Sequence, residues 1–135
     1  MCGIIGLFNI HNEQAMRAEA LKMVPKIRHR GPDWSGSYSD KFCVIKHERL
    51  SIVDVEHGAQ PLYDTQNNRV LAVNGEIYNH KELAKKLTKT HDWQTHSDCE
   101  VLLYLYDEFG TEFLNEMDGI FSFCLYDPKT DEYFI

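Results

Sequence analysis

Cys2 is the residue whose position suggests chemistry most directly. It follows Met1 in the opening run Met1-Cys2-Gly3-Ile4-Ile5-Gly6. Removal of Met1 would leave a cysteine carrying its own free α-amino group. One residue would then supply both a nucleophile and a base. Reference pKa values are ~7.7–8.0 for an α-amine and ~8.5 for a thiol, so proton exchange between them is accessible near neutral pH. The thiolate is the attacking form, and an adjacent base is a recognised way to generate it. From position alone a plainer reading leads, in which Cys2 is a small apolar residue opening a strand.

Other groupings carry less. His47-Glu48 begins like the helical zinc motif H-E-x-x-H, but position 51 is Ser and the motif fails. His91, His96, Asp98 and Cys99 cluster in sequence, at intervals that match no standard zinc spacing, so no metal is expected. Trp34-Ser35-Gly36 is not a nucleophile elbow, which needs G-x-S-x-G. Cys43, Cys99 and Cys124 form no C-x-x-C pair and read as free packing thiols.

The elements that must position Cys2 follow from periodicity. Cys2–Phe8 reads as a buried strand. Met16, Ala20, Met23, Val24 and Ile27 have helical spacing, interrupted by Pro25, which should kink or stagger the helix. Arg28–Asp33 is a turn-rich loop. Phe42–Ile45 and Leu50–Val53 read as strands around His47-Glu48-Arg49. Val70–Val73 and Ile77–Tyr78 flank Asn74-Gly75, the strongest short-range hairpin signal when read alone. Asn79 with Glu82, and Ser97 with Glu100, have capping-box spacing. The second box precedes a helix over 101–109, with Gly110 suited to its end. Gly119–Tyr126 is a continuous apolar strand, and Tyr133–Ile135 begins another. Hairpin signals favour antiparallel pairing, so the fold class is α+β, with sheet and helix layers.

Composition bounds the rest. The chain has 135 residues, one domain's worth. Its 43% apolar and 26% charged residues exclude a wholly disordered or fibrous chain. With 14 Lys+Arg against 21 Asp+Glu, the net charge of −7 lacks the basic footprint of a nucleic-acid binder. No apolar run approaches the ~20 residues of a membrane span. The N-terminus has no basic n-region, so no signal peptide is expected and the expected compartment is cytoplasmic.

Six motifs then come in order: Met-Cys-Gly-Ile-Ile-Gly at the start, Arg-His-Arg-Gly-Pro-Asp at 28–33 and His-Glu-Arg-Leu-Ser-Ile-Val-Asp at 47–54. Gly-Ala-Gln-Pro-Leu at 58–62, Asn-Gly-Glu-Ile-Tyr-Asn-His at 74–80 and Ser-Asp-Cys-Glu at 97–100 follow. Together they resemble the glutaminase domain of the glutamine-hydrolysing asparagine synthetases. These are class II glutamine amidotransferases among the N-terminal-nucleophile hydrolases. The resemblance spans the chain and reverses the plainer reading of Cys2.

The resemblance implies a four-layer αββα sandwich of antiparallel sheets. It implies a C-terminally truncated amidotransferase type 2 domain over residues 1–135, without the synthetase domain. Cys2 is implied as nucleophile, with the Asn74 amide and the Gly75 N–H as oxyanion donors. Arg49, a surface arginine by composition alone, is implied as the fork for the glutamine carboxylate. Glu76 and Asp98 are implied as acceptors for its ammonium, although helix capping competes for Asp98. Leu50, Ser51, Ile52 and Val53 are implied to line the pocket, largely through backbone groups. L-glutamine is the implied substrate, and no cofactor is expected in this domain. ATP and Mg²⁺ are expected in the synthetase domain, and a homodimer is common in the family.

Three readings stay open. One is a glutamine amidohydrolase supplying ammonia for asparagine. The second is an inactive binding or assembly module. The third is an amidase or amidotransferase domain serving another substrate or synthetase. For the Arg28–Asp33 loop, shaping the active site and a structural charge network are equally open.

Overall fold

Alternation along two strands decides the architecture. The computed structural model describes residues 1–52, 54 and 56–135. One sheet holds β1 (Gly3–Phe8), β2 (Trp34–Ser39) and β3 (Cys43–Arg49) in the order β1-β3-β2. The other holds β4 (Leu62–Tyr63), β5 (Val70–Ile77), β6 (Gly119–Asp127) and β7 (Glu132–Phe134) in chain order. All these pairings are antiparallel. The helices are α1 (Glu13–Ile27), α2 (His80–Ala84) and α3 (Val101–Phe109).

Successive strand residues face opposite sides. Val44 therefore packs with Ala20 and Ile10 under α1. Its neighbours Cys43 and Ile45 meet Val70, Ala72, Cys124 and Tyr126 of the second sheet. That sheet sends Leu71, Val73, Phe123 and Leu125 outward against Leu102, Leu103 and Leu105 of α3. Three apolar interfaces thus separate four layers: helix, sheet, sheet, helix. The α+β sandwich expected from the sequence is the one observed. Among the described residues no helix is long and apolar enough to cross a membrane.

Several local expectations are corrected. Asn74-Gly75 is not a hairpin turn; it lies inside β5, paired with Ser122 and Phe121 of β6. The local signal lost to the apolar faces on both sides, which keep Val70–Ile77 extended. Leu50–Ile52 is irregular rather than a strand, and Val53 lies outside the described residues. Neither capping box forms. Asn79 makes no cap bond and instead holds Glu116 O and Asp118 N. Glu100 is buried and accepts from the Gln94 and Thr95 N–H groups and the Tyr104 hydroxyl. The helix cap that does form, Asn12 Oδ1 on Ala15 N–H at 2.9 Å, starts α1 ahead of its apolar stripe. Pro25 lies inside α1, which runs on to Ile27 before a 3-10 turn at Arg28–Arg30.

The irregular segment 88–97 leads to one wall of the site and is tied down by two carboxylates of α3 and its approach. Glu100 holds residues 94–95, and Glu108 holds Thr88, Lys89 and His91. Burial works to raise the Glu108 pKa, but bonds from the Thr88 hydroxyl, the Lys89 N–H and His91 outweigh it, leaving the group at about 2. The folded value lies below the ~4.3 of an unperturbed Glu. Its stabilisation is therefore full above that value and lost as pH falls from ~4.3 towards 2. Thermal unfolding followed from pH 6 to pH 2 should show a shallower acid decline in Glu108→Gln than in the wild type.

Candidate active site

The site forms where β4 ends. β4 pairs only with Val70 and Leu71. In an antiparallel ladder alternate residues turn both backbone groups towards opposite neighbours. Arg69 O accepts from Asp64 on the β4 side, and Tyr78 N–H donates to Asp118 O on the β6 side. The backbone groups of Val73, Gly75 and Ile77 therefore face the edge that β4 leaves open.

Side chains take most of these groups. Gln60 Oε1 accepts the Val73 N–H at 2.6 Å, and His47 Nε2 donates to Val73 O at 2.9 Å. Asp98 Oδ2 accepts the Ile77 N–H at 2.7 Å. The Cys99 thiol points at Gly75 O from 4.0 Å. The Gly75 N–H is the edge donor that no side chain among the described residues takes. Glycine is required there: φ is +156°, and a Cβ would lie 2.2 Å from Ile120 O and 2.5 Å from Phe121 Cα.

A cleft of about 210 Å³ opens at this edge, and Cys2, Arg49, Leu50, Ile52, Gly75, Glu76 and Asp98 all line it. The half-buried Cys2 thiol is bracketed by one residue. Leu50 N–H donates to Sγ at 3.4 Å, and Sγ–H reaches Leu50 O at 3.7 Å. Arg49, the last residue of β3, is 6% exposed, and its Nη2 donates to Asp54 O at 2.7 Å. Gly58 lies against the guanidinium, where a Cβ would meet Nη2 at 2.7 Å. Asp98 is also 6% exposed, with one oxygen committed to β5. It caps no helix; the Ser97 hydroxyl instead accepts the Cys99 N–H. A guanidinium and two carboxylates thus share a cleft with a thiol and an open backbone donor. That set suits a small zwitterion with an amide to attack.

Two expected site residues stand outside the lining. Asn74 projects from the sheet–sheet face of β5. Its Oδ1 is buried without a partner among the described residues, as is His47 Nδ1. Ser51 lies over a neighbouring depression with Trp34 and Glu56, its N–H held by Asp33 Oδ2 at 2.8 Å. Sequence reading missed Gly58, Gln60, Tyr78, Cys99 and Ile120 as lining residues. Gly58, Gln60, Tyr78 and Cys99 belong to the six motifs, which was the signal that could have found them; Ile120 had none.

The Arg28–Asp33 loop holds Cys2 and the pocket. Arg30 Nε donates to Cys2 O at 2.9 Å, and Asp33 N–H donates to Arg49 O at 3.0 Å. Its anchor is Glu48, 0% exposed, which accepts from Arg28 and Ser35. Gly31 admits this packing, because a Cβ there would sit 2.1 Å from Glu48 O. The loop is therefore both a charge network and a brace for the site.

The other thiols are inert by environment. Burial pushes the pKa values of Cys43, Cys99 and Cys124 up, the last to about 12. His91, Asp98 and Cys99, close in sequence, are spent on separate bonds to Glu108, Ile77 and Gly75.

Known proteins resemble this chain over its whole length. The chain is 52% identical to asparagine synthetase B [glutamine-hydrolyzing] of Escherichia coli (strain K12) over 136 residues, covering all of this chain and 24% of that protein. It is 48% identical to asparagine synthetase [glutamine-hydrolyzing] of Zea mays, covering all of this chain and 23% of that protein. A probable asparagine synthetase [glutamine-hydrolyzing] of Dictyostelium discoideum is 44% identical over 98% of this chain and 24% of its own length. The chain thus spans about a quarter of the length of the curated relatives it matches. The glutamine amidotransferase domain family matches residues 1–135, end to end, and the chain belongs to that family.

Proposed function

We propose that the cleft hydrolyses the side-chain amide of L-glutamine through a thioester on Cys2. The observation that carries this is the open Gly75 N–H in the same cleft as the Leu50-bracketed Cys2 thiol. Once Met1 is removed, the α-amine of Cys2 takes the thiol proton and the sulfur attacks the carboxamide carbon. The oxygen becomes an oxyanion against the Gly75 N–H and, after reorientation, the Asn74 amide; such donors contribute a few kcal/mol each. The C–N bond breaks as the amine returns its proton to the nitrogen, and ammonia leaves. Water then cleaves the γ-glutamyl thioester, releasing glutamate and restoring the thiol. Arg49 holds the α-carboxylate, and Asp98 and Glu76 the α-ammonium, with Leu50 and Ile52 completing the pocket.

The relatives support an acceptor for the ammonia. In this reading a synthetase portion of a longer chain activates aspartate with ATP and Mg²⁺ and forms asparagine in the cytoplasm.

The test is the intact mass of the purified protein after exposure to an electrophilic glutamine mimic, with peptide mapping. Loss of Met1 and one adduct on Cys2 is the expected result. Met1 is 58% exposed at the mouth of the cleft. Retention of Met1, or a processed chain without an adduct, would overturn the reading in favour of a binding module.

A further inference from the structure

The open edge of β5 is pinned on both sides of Gly75. Asp98 holds Ile77, one pleat beyond, and belongs to the substrate pocket. The other pin, at Val73, uses two buried side chains from separate segments. Gln60, 8% exposed, takes the Val73 N–H, and His47, 0% exposed, gives its proton to Val73 O. A carbonyl only accepts, so Nε2 carries the imidazole proton. Burial lowers the His47 pKa and keeps the ring neutral.

We propose that Gln60 and His47 are positioning residues for the oxyanion site, holding both backbone groups of Val73 and thereby the direction of the Gly75 N–H. The Val73 carbonyl held by His47 belongs to the peptide unit that joins Val73 to Asn74. Any rotation of that unit turns Asn74 and displaces the Gly75 N–H one residue further on. β6 holds the opposite edge of β5, and with β4 ended only side chains can hold this one. The approach of Gln60 is itself built in: a Cβ on Gly36 of β2 would fall 1.7 Å from Gln60 O. Both bonds form in the resting protein, because a backbone group left unpaired in a buried setting is strongly disfavoured.

This inference rests on the glutaminase reading, and its test separates the two. Glutamine hydrolysis is measured in the full-length protein for wild type, Cys2→Ala, Gln60→Met, His47→Leu and His47→Gln. A displacement near 1 Å costs about 10²-fold in rate. Gln60→Met and His47→Leu should each lower kcat about 10²-fold with KM within about threefold, since neither residue is assigned to ground-state binding of glutamine. His47→Gln keeps an N–H donor for Val73 O and should recover kcat to within about fivefold of wild type. A kcat within about threefold of wild type in either apolar variant would overturn the inference. So would a His47→Gln variant as impaired as His47→Leu, or a roughly tenfold rise in KM at unchanged kcat. If one apolar variant fails to fold, the other decides on the same thresholds. A wild type with no Cys2-dependent turnover would instead count against the glutaminase reading.

Discussion

Glutamine hydrolysis falls to the blank in Cys2→Ala, at least about 10⁴-fold below wild type, the scale of losing the nucleophile of an acyl-transfer site. The folded protein hardly notices the change. Cys2 is half-buried, precedes β1, and loses only the weak sulfur contacts to Leu50. Cys43, Cys99 and Cys124 cannot substitute, because burial holds their thiols protonated. Ammonia release by a Cys2→Ala protein that melts with the wild type measures the effect directly. Release at more than about a hundredth of the wild-type rate would remove Cys2 from the mechanism.

Gly75→Ala should lose both stability and turnover. A methyl at that position collides with the backbone of β6, 2.2 Å from Ile120 O, at a φ that side chains rarely adopt. Relief requires separating β5 from β6 along the longest ladder of the second sheet. Overpacking of this kind costs about 3 kcal/mol, equivalent to roughly a 10 °C fall in Tm at this size. Movement of β5 also displaces the open N–H, so kcat in the folded fraction should drop about 10²–10³-fold. Gly110→Ala is the control. It shares a positive φ, of 59°, but its methyl would have nothing within 4 Å, and it ends α3 away from the cleft. It should cost about 1 kcal/mol and leave kcat unchanged. A stable Gly75→Ala protein with wild-type kcat would refute the donor role.

The types of residue needed were legible in the chain itself. Cys2 stands where processing would expose an amine beside a thiol, and six ordered motifs carried the family without any coordinates. The αββα layering was legible through that resemblance, and the apolar alternation of β3 and β5 is its physical basis. Local signals were less reliable where two interpretations share a composition. Asn74-Gly75 has the chemistry of a turn and also that of a strand whose neighbour comes too close for a side chain. The apolar faces on both sides of β5 and the approach of Ile120 and Phe121, more than forty residues away, select the second. Ser97 and Glu100 had capping-box spacing, but Glu100 is drawn to the N–H groups of residues 94–95, a demand that spacing does not record.

The amino-acid sequence by itself determined the family, the charge types of the pocket and the candidate nucleophile proposed above, because these depend on residue identity and order. The tertiary structure alone decided which groups meet. β4 stops after two pairs, and that leaves the Val73–Ile77 edge to be filled by Gln60, His47 and Asp98. The Gly75 N–H stays open because no side chain among the described residues reaches it. Such an opening is a property of strand lengths and of packing between distant segments, and neither is written at any single position of the chain.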